Sequence, residues 1–423
     1  MIPPSVFKYL QTRGIKGPWR ISGVDRFDFE GAVVIPALAE KDFLFSTLAS
    51  LAQNPSADLF RFLILIVVNH RECAELAEKT DNRFTLEFLE KKDGLLSRLQ
   101  LGWVDACAPG LELPAKGGGV GLARKIGFDL ALSRLDFKKT SPFLISLDAD
   151  TLVRPDYFPV IVNHFRTAKV GGAVIPFCHR AGDTRQQDRA IRKYELFLRS
   201  YVLGLDRAGS PFAFHTIGST MACRAEAYAR MGGMNTREAA EDFYFLQHLA
   251  KTAGVEAMKG TVVYPSPRIS KRVPFGTGPT VSRLVAAEKG ALLFYRRECF
   301  QVLKEWLELV AANLDFRGET LLRKAKAIST ELPQFLEERQ FVLTWEKLQK
   351  NFRSPSLLGR GFHQWFDGLK TLKLIHHLSA GPFPRGEAPQ ILPDFFDWAG
   401  LVPAEQMEDQ LALLRKIQIG SPY

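Results

Sequence analysis

The residues best suited to chemistry in this chain are Asp148 and Asp150, at the end of Phe143-Leu-Ile-Ser-Leu-Asp148-Ala-Asp150. Side chains alternate across a strand, so residues at i and i+2 point the same way. Two carboxylates at the tip of a buried strand therefore converge. Oxygen donors of that kind suit a hard cation, Mg2+ or Mn2+, which in turn holds phosphate oxygens. The pair also fits a plain turn after a strand, because Arg154-Pro155-Asp156 follows closely.

Four further segments carry side chains that such a site would use. Val33-Val-Ile-Pro36 runs on to Glu40, where a strand gives way to a helix; a polar group there meets a nucleotide, or simply opens the helix as an acid. Lys116-Gly-Gly-Gly-Val-Gly121-Leu-Ala-Arg124-Lys125 combines glycines, which let backbone approach a ligand, with a helix start that attracts anions. Arg124, one turn in, can fork onto a phosphate. The run has no Walker lysine followed by Ser or Thr, so a P-loop is a poor fit, and a flexible loop is the plain alternative. Ala239-Ala-Glu241-Asp242 opens an amphipathic helix with two acids, which the helix dipole favours on its own; Asp242 is also placed to act as a general base toward an acceptor hydroxyl. Ser266-Pro-Arg268-Ile-Ser-Lys271-Arg272 puts cations in a Gly/Pro-rich loop, suited to a diphosphate or to plain solvation.

These segments need a scaffold that brings them together. Ala32–Ile35, Phe62–Val68, Phe143–Leu147 and Gly172–Ile175 read as apolar strands. Helical patterns at 41–52, 72–79, 121–132 and 185–203 alternate with them, after an irregular stretch 1–29. Fully apolar strands separated by helices argue for an α/β fold with a mostly parallel central sheet covered on both faces. Ligands of such sheets bind beyond the carboxyl ends of the strands, where Asp148 and Asp150 lie. Past the Gly276-Thr-Gly-Pro279 break, helical spacing dominates, with stripes at 334–350, 356–378 and 404–417. The expected division is residues 1–280 as the α/β domain and 281–423 as a helical C-terminal region. Aromatic stripes are usually buried, so Trp306, Trp345, Trp365 and Trp398 are expected in a helical core rather than on an acceptor platform.

The 423 residues suit two domains. The net charge of +10 is spread out rather than blocked, which argues against a nucleic-acid partner and suits phosphorylated substrates or an anionic surface. Five cysteines without paired spacing argue against a zinc site or disulfide framework and fit a reducing compartment. The start of the chain has no signal-peptide pattern, and the longest apolar run, 62–68, is too short to span a bilayer. The expectation is a cytoplasmic protein, with peripheral contact at the inner face of the membrane left open.

Taken in order, these segments resemble the family-2 glycosyltransferases with the GT-A fold. The resemblance covers about residues 30–280 and rests on the Val-Ile-Pro…Glu40 start, the Gly119-Val-Gly-Leu-Ala-Arg124-Lys-Ile-Gly127 helix, Asp148-Ala-Asp150 and Glu241-Asp242. It implies a sugar moved from a nucleotide-diphosphate sugar to a hydroxyl of a glycan or lipid-linked acceptor. Asp148 and Asp150 would hold the metal, with Asp242 as base in a single inverting displacement. Pro36, Glu40, Asn69, Arg124, Asp148, Glu241, Arg268 and Arg272 would contact the donor. Two departures stand out. Leu38 and Ala39 replace a common aromatic and Asn, and Asn69 replaces a common Asp beside the nucleobase, so the base is not assigned to uracil. There is no Q-x-x-R-W motif or membrane helix of the processive synthases, which points to single addition. A sugar-phosphate nucleotidylyltransferase needs its Gly-rich, Arg-bearing loop directly after the first strand, where this chain has Pro36-Ala-Leu-Ala-Glu40. A non-catalytic nucleotide-sugar or glycan-binding protein with a degenerate site is the remaining alternative.

Overall fold

Phe62-Leu-Ile-Leu-Ile-Val-Val-Asn69 has no polar side chain before its last residue, and all eight residues are buried. Such a strand belongs inside a sheet covered on both sides. The computed structural model describes residues 2–91, 94–270, 276–286 and 292–420. In chain order the strands are β1 (Gly31–Ala37), β2 (Phe62–Asn69), β3 (Gln100–Ala106), β4 (Phe143–Ser146), β5 (Leu152–Val153), β6 (Gly172–Val174), β7 (Met221–Arg224), β8 (Val255–Ala257) and β9 (Val263–Tyr264). Seven make one sheet in the order β3-β2-β1-β4-β7-β6-β8, while β5 and β9 pair separately. The sheet is parallel except at β7, which runs against both β4 and β6. Gly31 is in register with Phe62 on one side and Phe143 on the other. The carboxyl ends of β1, β2 and β4 therefore share one edge, and β1 is followed in the chain by strands on both of its sides, the usual place for a binding crevice.

In chain order the helices up to residue 253 are α1 (Pro4–Thr12), α2 (Lys41–Leu51), α3 (Ser56–Leu59), α4 (Leu76–Lys91), α5 (Val120–Ala131), α6 (Tyr157–Thr167), α7 (Arg185–Arg207), α8 (Ala225–Met231) and α9 (Glu241–Ala253). Among the differences from the sequence expectation, three stand out. Residues 1–29 are not wholly irregular, because prolines at the start of a helix are pre-set for it, and α1 buries Val6 and Tyr9. The helix after β2 starts at Leu76 and runs to Lys91, well past the expected 72–79. β3 was not anticipated; its burial is mixed along an outer strand, with none of the unbroken apolar run of β2.

Two compact units divide the chain. The first holds residues up to Ile191, Thr216–Pro279 and the chain from Arg415, and the second holds Arg192–His215 and Thr280–Leu414. The boundaries thus differ from a single cut at 280. The second unit is helical. Its segments Arg297–Ala312, Phe341–Asn351, Pro355–Trp365, Gly368–Ala380 and Ala388–Trp398 surround a core in which Trp306 and Trp345 are fully buried. The stripes expected at 334–350 and 356–378 are each broken in two. Gln340 takes a left-handed φ of 54°, and Asp367 caps a new helix by accepting the Lys370 N–H at 3.0 Å. Among the described residues no helix is long and apolar enough to cross a membrane.

Candidate functional site

β4 ends at Ser146, and the chain then turns through Leu147-Asp148-Ala149-Asp150, with Thr151 N–H closing the turn on the Asp148 carbonyl at 3.1 Å. The turn is fixed from below. Thr47 on α2 donates its hydroxyl to the Ala149 carbonyl at 2.8 Å, and Ser50 accepts the Val153 N–H at 3.1 Å. Ala149 points inward and is buried, while Asp148 and Asp150 stay partly exposed. Both carboxylates therefore stand at the carboxyl edge of the sheet on a rigid base.

Two arginines tie these aspartates to other parts of the chain. Arg124, on α5, is 3 % exposed. Its Nε donates to Ser146 Oγ at 2.9 Å, its Nη2 to Asp148 Oδ1 at 2.5 Å, and its Nη1 to Glu241 Oε1. Burial alone would favour losing the proton, but Asp148, Glu241 and Asp242 outweigh it and raise the pKa of Arg124. Gly218 packs on the guanidinium so closely that a Cβ there would collide with it. Gly121 of the glycine-rich run has a similar role: a Cβ would sit 2.5 Å from the Arg237 carbonyl oxygen and 3.1 Å from the Glu241 Cβ. That glycine admits the chain segment before α9 rather than a ligand. The fork of Arg124, expected to meet a phosphate, is already committed on all three nitrogens to protein partners.

The second arginine is Arg268, just after β9. Its Nη1 and Nη2 grip Glu40 at 2.8 and 2.5 Å, and its Nε lies 2.7 Å from Asp150 Oδ2. The guanidinium lies 4.6 Å from the centroid of the Phe43 ring. Arg180 adds a hydrogen bond to the Asp150 backbone carbonyl at 3.0 Å. Glu40 is buried and follows Ala39, whose φ of 51° is left-handed and whose N–H donates to Asn82 Oδ1 at 2.8 Å. Glu241 also follows a left-handed alanine, Ala240 at 57°. Non-glycine residues adopt that backbone rarely, and it is found where surrounding structure over-determines a site.

Asp242 stands beside the Arg124 cluster at the start of α9. Its Oδ1 accepts its neighbour Phe243 N–H at 2.7 Å. Burial first, and then the Glu241 charge, push its carboxyl up to about 7, against the pull of Arg124; Asp148 adds to the rise. Asp150 is pushed up to about 6, mainly by burial and partly by Asp148 and Glu40, with Arg268 opposing. A carboxyl held near neutrality at a sheet edge is suited to accept a proton.

The remaining expected residues are placed as follows. Pro36 is half-buried near the end of β1. Asn69 closes β2 with its amide donating to the Val67 and Ala37 carbonyls at 3.0 and 3.3 Å. Glu241 is buried against Arg124, and Glu40 against Arg268. Arg272, with Lys271, lies outside the described residues. Sequence reasoning missed Ser146 and Arg180. Ser146 had a legible signal, as the one polar residue in an apolar strand and two positions before Asp148. Arg180 follows β6 in no recognisable pattern.

Among the described residues there is no cluster of three or more His, Cys, Asp or Glu arranged for a metal. Asp148 and Asp150 nevertheless fit a hard cation that takes its other ligands from phosphate and water, as Mg2+ commonly does. The charge count agrees. Among the described residues the two clusters gather five carboxyl groups (Glu40, Asp148, Asp150, Glu241, Asp242) around three guanidinium groups (Arg124, Arg180, Arg268). With all of them ionised, the excess is two negative charges, the charge of one divalent cation.

The family model described as glycosyl transferase family group 2 matches residues 143–299. Comparison with curated proteins gives no match. Among solved structures, residues 1–349 of TarS from S. aureus in complex with UDP-GlcNAc align at 13% identity, covering 80% of this chain and 91% of that one, with a TM-score of 0.39. The mannosyltransferase PcManGT from Pyrobaculum calidifontis, in complex with GDP-Man and Mn2+, aligns at 16% identity over 85% of this chain and 94% of that one, with a TM-score of 0.38.

Proposed function

We propose that this chain, whose residues 143–299 match the model of glycosyl transferase family group 2, is a metal-dependent, inverting transferase. It would move one sugar from a nucleotide-diphosphate donor to a hydroxyl of a glycan or lipid-linked acceptor. The observation that carries the reading is the meeting of Asp148 and the Glu241–Asp242 pair on opposite sides of one arginine, at the carboxyl edge of the sheet.

The donor's nucleoside lies over the ends of β1 and β2, with Pro36 and Asn69 on the base and ribose side. Asp148 and Asp150 would hold Mg2+ or Mn2+, whose chemistry there would be Lewis-acid neutralisation of charge on the departing nucleoside diphosphate. Arg124 acts as the brace that fixes Asp148 relative to α9, not as a phosphate ligand. Arg268 brings positive charge to the diphosphate side. Asp242 accepts the proton of the acceptor hydroxyl as its oxygen attacks the anomeric carbon opposite the leaving group, which inverts that centre. A raised pKa favours this role, because a base near neutrality combines a useful deprotonated fraction with real proton affinity. Localisation at a cytoplasmic face, with peripheral membrane contact through the acceptor, fits the same reading.

A panel of nucleotide sugars tested by thermal shift, with and without Mn2+, checks the proposal. A ligand of the folded state raises the melting temperature. At least one nucleotide sugar is expected to do so only with the metal present, and Asp150→Ala to abolish that shift. A panel without any binder, or a shift indifferent to Asp150, counts against the reading.

A further inference from the structure

Asp148 and Asp150 sit two residues apart, yet their counter-ions differ in kind. Asp148 is paired with a guanidinium locked inside the protein, whereas Asp150 is paired with one that is 24 % exposed and belongs to the segment after β9. Arg268 places Nε on Asp150 Oδ2 at 2.7 Å while its two terminal nitrogens stay on Glu40. This divides its grip. The fork on Glu40 is bidentate and fixes the side chain's place, and the Nε lies in an ion pair against one oxygen of Asp150.

We infer that Arg268 is a built-in counter-ion that holds the Asp150 seat in the metal-free protein and gives it up when a divalent cation binds. A guanidinium and a metal ion on the same carboxylate oxygen would bring two positive charges within about 4 Å of each other, where repulsion is strong at a partly buried site. Occupancy by one therefore weakens occupancy by the other. Glu40 keeps Arg268 at the site after the exchange, because the Glu40 contacts use different nitrogens from the Asp150 contact. With Asp150 given over to the cation, the positive charge of Arg268 stays at the same cleft, available to an oxygen of the diphosphate. Metal and nucleoside diphosphate binding are coupled through this one side chain, each strengthening the other. The inference rests on the proposed metal role of Asp150.

The test is a titration of Mn2+ alone, without nucleotide, followed by electron paramagnetic resonance of the free ion. It compares the wild-type chain, Arg268→Gln, Arg268→Lys and Asp150→Asn. A seat open in roughly one molecule in ten binds about tenfold more weakly than one always open. Arg268→Gln is therefore expected to bind Mn2+ about tenfold more tightly than wild type. Arg268→Lys, whose single ammonium cannot span both acids as the fork does, should gain roughly threefold. Should the Gln variant fail to fold, the Lys variant alone decides the matter. Unchanged or weaker Mn2+ binding in the folded Arg268 variants, with Asp150→Asn still losing it, overturns the exchange and leaves the metal site standing. Equal Mn2+ binding by Asp150→Asn and wild type, or none by any protein, overturns both.

Discussion

Arg124 and Arg268 each join one aspartate of the Asp148–Asp150 pair to a distant glutamate, but they do so in different settings. Arg124 is wholly enclosed, spends every nitrogen on protein, and has a glycine cut to its shape. Arg268 is partly open to solvent and carries one separable contact. The difference separates two tasks that residue type alone cannot distinguish: one arginine builds the cleft, and the other works in it. A buried charge removed from its partners leaves them unpaired at high cost, whereas an exposed pair is worth little.

The largest effect should come from neither arginine but from the group Arg124 sets in place. Asp242→Asn is expected to lower kcat by roughly 10²–10⁴-fold, measured as release of nucleoside diphosphate with acceptor present. A loss below tenfold would remove Asp242 from the chemistry. Next, Arg124→Met should cost about 3–5 kcal/mol in denaturant unfolding, because Glu241 and Asp148 lose a shared buried partner. Arg268→Met should cost less, about 1–3 kcal/mol, since only part of its ion-pair cluster is enclosed. Equal costs would mean that the two arginines do the same structural work.

The pH dependence sharpens it. Both Asp150 and Asp242 have folded-state pKa values raised above the ordinary carboxylate value of 3.8, to about 6 and about 7. The folded state then binds more protons than the unfolded state between about pH 4 and 7. The contribution of these groups to stability is present below pH 4 and is lost as pH rises through 6 and 7. The metal-free protein should therefore gain more in melting temperature from saturating Mn2+ at pH 8 than at pH 5. For turnover the sign is opposite, and kcat/KM should rise through pH 7 as Asp242 loses its proton. The smallest expected effect is on the backbone. Ala240→Gly relieves a left-handed φ and should leave stability within about 1 kcal/mol, raising it if strain outweighs the added chain entropy.

How far the site was legible depended on sequence distance. The tip of β4 could be read because its signal is local, an apolar run ending in Asp148, although the two aspartates stand in the turn beyond the strand rather than in its alternation. The acids opening α9 were legible for the same reason. Their partners were not: Arg124 and Glu241 are 117 positions apart, and Arg268 and Glu40 are 228 apart. No periodicity links such positions, so the roles of Arg124 and Glu40 as partners within the protein emerged only from the fold. The fold itself was readable where burial is two-sided, as in β2, and unreadable in β3, where an outer strand mixes buried and half-buried residues. The prolines at 3 and 4 read as breakers, yet at a helix start they act as initiators.

The central claim is that one cleft separates donor binding at the Asp148–Asp150 tip from proton transfer at Asp242. Calorimetric titration of the same nucleotide sugar into Asp150→Ala and Asp242→Asn, both with saturating Mn2+, tests it most directly. Asp150→Ala is expected to lose metal-dependent binding while Asp242→Asn binds within about threefold of wild type, a difference under 1 kcal/mol. Loss of binding in both variants alike, or in Asp242→Asn alone, would contradict it.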